Sequence, residues 1–276
     1  MWKPAGASAA AKVPLVIMAH GHTGPWSNGD TTKVGSQFRR TAQMLLTKGI
    51  GVMLVDSYSF ARNSYILARH KGDPNQAKWA VRPRGVNDDK AYRDDAVSDH
   101  LVRPYDLAGA AVAARSLVTW ADPKKLVAIG YSDGGSAVLA LSLSKYPLNL
   151  DKPNGGARLF RRLYATYPGC GLDGVNTFYA HSAAMVPLML GTGTADTTTP
   201  PGPSPGQSAP AGDCRKRFDQ AVAAVSAAPA HSGLYVPTWL NYVGATHSWE
   251  ITGGADNDAA RGDWNRRLLA FVATLK

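Results

Sequence analysis

Residues Lys125–Tyr146, KLVAIGYSDGGSAVLALSLSKY, decide how the rest of the chain is read. The opening KLVAIG is a short apolar run, the pattern of a strand buried on both faces. From Gly134 onward small residues lead into an apolar stretch, which predicts a helix over Gly134–Tyr146. Between the two lies Gly130-Tyr131-Ser132-Asp133-Gly134, a G-x-S-x-G sequence. A serine on a sharp strand-to-helix turn stands exposed at the C-terminal edge of a sheet. Side chains beside it would collide, so Gly130 and Gly134 have a steric reason, and Gly135 lets the helix approach the sheet. The helix N-terminus favours negative charge near the Ser132 hydroxyl.

The same alternation continues on both sides. Val13–Ala19 (VPLVIMA), Ile50–Val55, Arg162–Tyr167, Met185–Gly191 and Tyr235–Val243 read as further strands. Ser36–Lys48 reads as an amphipathic helix with Phe38, Ala42, Leu45 and Leu46 on one face. Pro104–Trp120, Cys214–Ala227 and Ala259–Leu275 are the other helices expected. Apolar strands alternating with helices predict an α/β fold, with a mostly parallel sheet covered on both faces. One domain over residues 1–276 is expected. Residues 57–103 and 197–212 break the pattern and are expected as long loops or inserts, since the alternation resumes after each.

Composition narrows the partners. The chain has 276 residues, 45% hydrophobic and 18% charged, which excludes wholesale disorder. No run of 18 apolar residues occurs, so no membrane span is expected. The net charge of +10 comes from scattered pairs such as Arg39-Arg40, Arg161-Arg162 and Arg266-Arg267. A nucleic-acid binder concentrates such charge on one face, so no nucleic-acid partner is expected. The basic balance suits an extracytoplasmic protein, or one that gathers anionic substrates. Cys170 and Cys214 have no second thiol or histidine at metal-ligand spacing, and no metal site is expected. As a disulfide they would close a loop of about 45 residues and add about 4 kcal/mol. As two reduced thiols they would be unrelated, and the residues alone leave both open.

A serine hydroxyl is a poor nucleophile without a base. In a sheet of this kind the order along the chain is serine, then an acid, then histidine, each after a later strand. His247, in GATHSWE, follows the last strand and is singled out from seven histidines by that position. Asp196 follows the preceding strand and is the only acidic residue between Asp173 and Asp213. Its role would be to fix the His247 tautomer and stabilise the imidazolium. An oxyanion hole needs two backbone N–H donors. Asp133, next after Ser132, is expected to give one. The other is expected from His20-Gly21-His22-Thr23-Gly24, with His22 the choice and Thr23 the alternate. His20 itself is expected to be a structural hydrogen-bonder. Tyr58, Phe60, Tyr131 and Trp249 lie in or beside site-forming loops, where they would line an acyl pocket or pack the loops onto the sheet.

These blocks together resemble the dienelactone hydrolase family of α/β-hydrolases, in its serine-containing branch. The resemblance is carried by HGHTG at 20–24, VDSYSFAR at 55–62, RPYDLAGA at 103–110 and GYSDGG at 130–135. It continues through YPGC at 167–170, GTADTTTP at 193–200 and GATHSWE at 244–250. It implies an α/β-hydrolase fold, a Ser132–Asp196–His247 triad, and hydrolysis of a small-molecule or polymeric ester without cofactor. It also implies that Cys170 pairs with the later Cys214, and a periplasmic or secreted location. Relatives carry one or two strands ahead of the HG block, and this chain starts almost at it. The family's founding enzyme has a cysteine nucleophile and acts on dienelactone; Ser132 departs from it and points to other esters. A peptidase, thioesterase or acyltransferase would share the same fold and triad. A non-catalytic binding module would lack a catalytic group, and none is missing.

Overall fold

Successive residues of β1 (Val13–Ala19) face opposite sides of a sheet, and both sides are dry. Leu15, Ile17 and Ala19 join one core, while Val16 and Met18 join another. That two-sided burial is why the strand is apolar without alternation. The computed structural model describes residues 1–21, 23–27, 30–57, 103–142, 159–169, 186–197, 219, 222–223, 225–227 and 235–275.

Along the chain, β1 is followed by a small antiparallel pair, β2 (Trp26–Ser27) and β3 (Asp30–Val34), then α1 (Ser36–Leu46) and β4 (Gly51–Val55). Next come α2 (Arg103–Leu117), β5 (Ala121–Tyr131), α3 (Asp133–Leu141), β6 (Arg162–Thr166), β7 (Leu188–Gly193), β8 (Thr238–Tyr242) and α4 (Ala255–Ala273). Among the described residues six strands form one sheet in the order β4-β1-β5-β6-β7-β8, and every neighbouring pair is parallel. Trp2 adds an antiparallel bridge to Val52 on the outer side of β4.

The strand order reverses beside β1. The chain leaves β1 for β4 on one side and returns to β5 on the other. A crevice at the carboxyl ends of β1 and β5 follows from that switch, and it is where ligands bind in open α/β sheets. Register aligns those ends: Ala19 pairs with both Val55 and Gly130, and Tyr131 with Thr166. His20, Asp56, Ser132 and Tyr167 therefore leave the sheet along one edge.

Helices α2 and α3 cover one face, through Leu107, Ala108, Ala111, Ala137 and Leu141. Helices α1 and α4 cover the other. In α4 the buried Ala260, Trp264, Leu268 and Val272 recur every fourth residue, which turns one stripe of the helix inward. Asp256 and Asp258 sit in its first turn, where the helix dipole favours anions. The helix starts at Ala255, four residues before the start expected from sequence, because this acidic turn is polar and carries no periodic signal. Helix α3 is described to Leu141, and the rest of the helix expected to Tyr146 lies mostly outside the described residues. So do most of the 57–103 and 197–212 inserts and most of the Cys214–Ala227 helix. No described helix is long and apolar enough to cross a membrane.

Candidate active site

The turn after β5 is as tight as its glycines suggest. A Cβ on Gly130 would stand 1.9 Å from the Gly134 carbonyl oxygen, and one on Gly134 would stand 2.4 Å from the Ala19 carbonyl oxygen. At Gly135 a Cβ would stand 2.8 Å from the Thr166 carbonyl oxygen, which is how α3 comes so close to β6. Ser132 sits at φ 52° and ψ −120°, a conformation that costs a non-glycine residue about 1–3 kcal/mol. The surroundings hold it there. Its N–H donates to the Thr166 carbonyl at 3.0 Å, and its carbonyl accepts from Ser136 N–H at 2.9 Å.

Two loops from later strands converge on this serine. Ser132 Oγ lies 2.9 Å from His247 Nε2, and His247 Nδ1 lies 2.8 Å from Asp196 Oδ2. An ionised carboxylate only accepts, so Nδ1 carries the proton and Nε2 is left to accept from the Ser132 hydroxyl. The Asp196 side chain is 8% exposed and that of His247 19%, so little water competes for these bonds. The loops are stitched together: Thr194 N–H donates to Tyr242 O at 2.9 Å, and Ala195 N–H to Ala245 O at 3.0 Å. Gly244 N–H donates to Thr194 Oγ1 at 2.8 Å.

The His247 loop is also pinned from two helices. Asn257 of α4 accepts from Thr246 N–H at 2.9 Å and donates to Thr246 Oγ1 at 3.1 Å. Arg40 of α1 donates to the Glu250 main-chain carbonyl at 2.8 Å, and Arg261 of α4 to the Trp249 carbonyl at 3.2 Å. Tyr167, at φ 37°, sets its ring edge-on to the imidazole, with centroids 4.8 Å apart.

The segment after β1 lies against Ser132. A Cβ on Gly21 would stand 3.3 Å from Ser132 Cβ. His22 lies outside the described residues; Thr23 is described and exposed. Asp133 opens α3, so its amide belongs to the turn that points N–H groups out of the helix end. His20 is a structural hydrogen-bonder: it is fully buried, Nδ1–H donates to Gly21 O at 2.7 Å, and Nε2 accepts from Ser57 N–H at 3.1 Å. Arg103, buried in α2, donates to the His20 carbonyl. Both ring nitrogens of His20 are therefore committed to holding the loop. Among the described residues no three His, Cys, Asp or Glu side chains group as a metal site would.

Of the two roles open to Tyr131 and Trp249, burial favours packing: they are 3% and 0% exposed. Strand alternation turns Tyr131 to the α1 side with Val127 and Ile129, where its hydroxyl bonds Thr41 Oγ1 at 2.9 Å. Burial raises its pKa well above the usual tyrosine range. Trp249 folds back under the loop and packs edge-on against Tyr167, Tyr242 and Trp264. Tyr58 and Phe60 lie outside the described residues, as do Cys170 and Cys214.

Glu250 was not singled out from sequence. It is 8% exposed, and burial raises its carboxyl pKa, opposed by a hydrogen bond from Tyr167 and by the charges of His247 and Arg40. It is the one acid in GATHSWE, but nothing in that block announces burial.

No protein-family model matches the sequence, and no curated protein matches it in sequence. Solved structures do match the fold. Esterase 2 of Thermogutta terrifontis, in its apo form, superposes with a TM-score of 0.62 at 17% identity, covering 99% of this chain and 88% of the other. The same esterase with propionate bound gives 0.61 at 17% identity, with the same coverage. A Klebsiella pneumoniae protein provisionally named a dienelactone hydrolase gives 0.58 at 17%, covering 98% of this chain and 90% of the other. The chain shares with them the α/β-hydrolase fold.

Proposed function

We propose that this chain is a serine hydrolase that cleaves carboxylic esters through an acyl-enzyme on Ser132. The observation that carries the proposal is the unbroken hydrogen-bonded line from Ser132 Oγ through both nitrogens of His247 to Asp196. His247 Nε2 takes the hydroxyl proton as Oγ attacks the ester carbonyl. Asp196 holds the ring and stabilises the imidazolium. The amide of Asp133, with that of His22 or Thr23, receives the oxyanion. His247 then protonates the departing alcohol. Water attacks the acyl-enzyme with the same base, and Ser132 is restored. Every proton in the cycle passes through side chains of this chain, so no cofactor takes part.

The named neighbours support an ester substrate. The Thermogutta esterase has been seen with propionate and with butyrate bound, and phosphorylated by paraoxon. We therefore expect short acyl groups, on small-molecule or polymeric esters, to be preferred here. The test is hydrolysis of p-nitrophenyl acetate, butyrate and octanoate beside peptide and thioester substrates. Ser132→Ala should lower ester turnover by at least about a thousand-fold and leave the fold intact. Near-wild-type turnover in that variant would sink the assignment, and faster thioester or peptide cleavage would move it to another class on this fold. The extracytoplasmic location and the Cys170–Cys214 pair belong to the same proposal. Alkylation of unreduced protein should then find no free thiol.

A further inference from the structure

A second carboxylate, that of Glu250, lies close enough to His247 for the two charges to interact. Tyr167 joins the two. Its ring stands edge-on to His247 with centroids 4.8 Å apart, and edge-on to Trp249 at 4.9 Å. Its hydroxyl is within hydrogen-bonding reach of the Glu250 carboxylate and of Ser248. The residue is 2% exposed and held at positive φ, while its N–H donates to Gly191 O at 2.7 Å. So constrained a backbone leaves the ring little freedom. Glu250 Oε2 is buried and has no hydrogen-bond partner among the described residues. It borders a cavity of about 460 Å³ between α1 and α4, lined among others by Gln37, Arg40, Met44, Arg261 and Asn265. A half-satisfied buried carboxylate costs stability, so something else must make its burial worthwhile.

We propose that Tyr167 and Glu250 are positioning residues for His247: the Glu250 carboxylate holds the Tyr167 phenol, and the Tyr167 ring holds the imidazole in line with Ser132 and Asp196. This rests on His247 being the general base. Among the described residues the groups facing Glu250 are Arg40 from α1, Tyr131 from β5, Tyr167 just after β6, Arg261 from α4 and His247 from its own loop. Arg40 and Arg261 are both spent on main-chain carbonyls of the loop, at Glu250 O and at Trp249 O. Arg40 still acts on the Glu250 carboxylate by its charge, and so does His247, so carboxylate and imidazolium stabilise each other.

Glu250→Gln and Tyr167→Phe, made in the full chain, test this. Both should lower kcat on the order of tenfold with KM little changed, as misorientation of a base does. Glu250→Gln removes a negative charge near the imidazolium, so the acid limb of kcat/KM should move to lower pH by several tenths of a unit. Tyr167→Phe keeps the charge, and its acid limb should stay. Stability runs the other way. A carboxyl whose pKa is raised by folding stabilises below its ordinary value of 4.5, and that stability is lost as pH rises through the folded value. Glu250→Gln should thus melt at or above the wild type at pH 8. Wild-type kcat in both variants overturns the proposal. So does a kcat loss in Glu250→Gln that follows a fall in Tm with the acid limb unmoved. A wild type that turns over no ester defeats the hydrolase assignment instead. The downfield proton resonance of His247 Nδ1–H then reads the proposal without substrate, and a titration unchanged in Glu250→Gln overturns it.

Discussion

The two faces of the sheet are built from different materials. Under α2 and α3 the core is largely alanine, leucine and valine: Ala108, Ala111, Ala114, Ala137, Val138, Ala140. Under α1 and α4 it is aromatic, with Tyr131, Tyr164, Tyr167, Trp249 and Trp264 all buried. The aromatic face is also hydrogen-bonded. Tyr164 OH donates to Trp264 O at 2.8 Å, and Trp264 Nε1–H to Thr166 Oγ1 at 3.1 Å. The contrast matches two different tasks. Ser132 is placed by close approach of α3 to the sheet, which small residues permit. His247 hangs on a loop and needs direction, which stacked rings with fixed hydroxyls supply.

Substitutions on either face can break that contrast. The largest effect is expected at Gly134→Ala, whose new Cβ meets two backbone oxygens, of Ala19 and His20, at 2.4 and 2.5 Å. The elbow must shift, and ester turnover should fall by about a hundred-fold or more, measured beside near-UV circular dichroism. Next come two core truncations. Trp264→Ala should cost about 3–5 kcal/mol and Leu107→Ala about 2–4 kcal/mol, from denaturant titration. They should differ in kinetics: kcat per folded molecule should drop in Trp264→Ala and hold in Leu107→Ala. Equal losses would mean that the aromatic face has no special bearing on the base. The smallest effect is expected at Tyr131→Phe, which deletes only the hydroxyl bonded to Thr41. About 1 kcal/mol of stability should go, with kcat unchanged.

The sheet was legible because parallel strands buried on both faces leave continuous apolar runs, as Val13–Ala19 and Lys125–Gly130 do. Ser132, Asp196 and His247 were legible by chain order and by their places after β5, β7 and β8, and the structure brings their side chains together. The inward turn of Tyr131 was legible in its phase: Val127, Ile129 and Tyr131 share one parity and face α1, while Leu126 and Ala128 face the other side. Trp249 and Glu250 carried no such signal. Whether a loop side chain turns inward depends on residues distant in sequence, here Tyr167 and Arg40.

The three side chains of the site hang from strands of unequal security. Ser132 follows β5, which has a strand on either side, whereas His247 follows β8, which is the last of the six. Edge elements exchange their amides through smaller openings than interior ones. Under mild denaturant the β8 end should open while β1 and β5 stay protected, and Ser132 then remains on a folded elbow with no imidazole beside it. Activity would be extinguished ahead of global unfolding and would return as quickly as one strand re-docks.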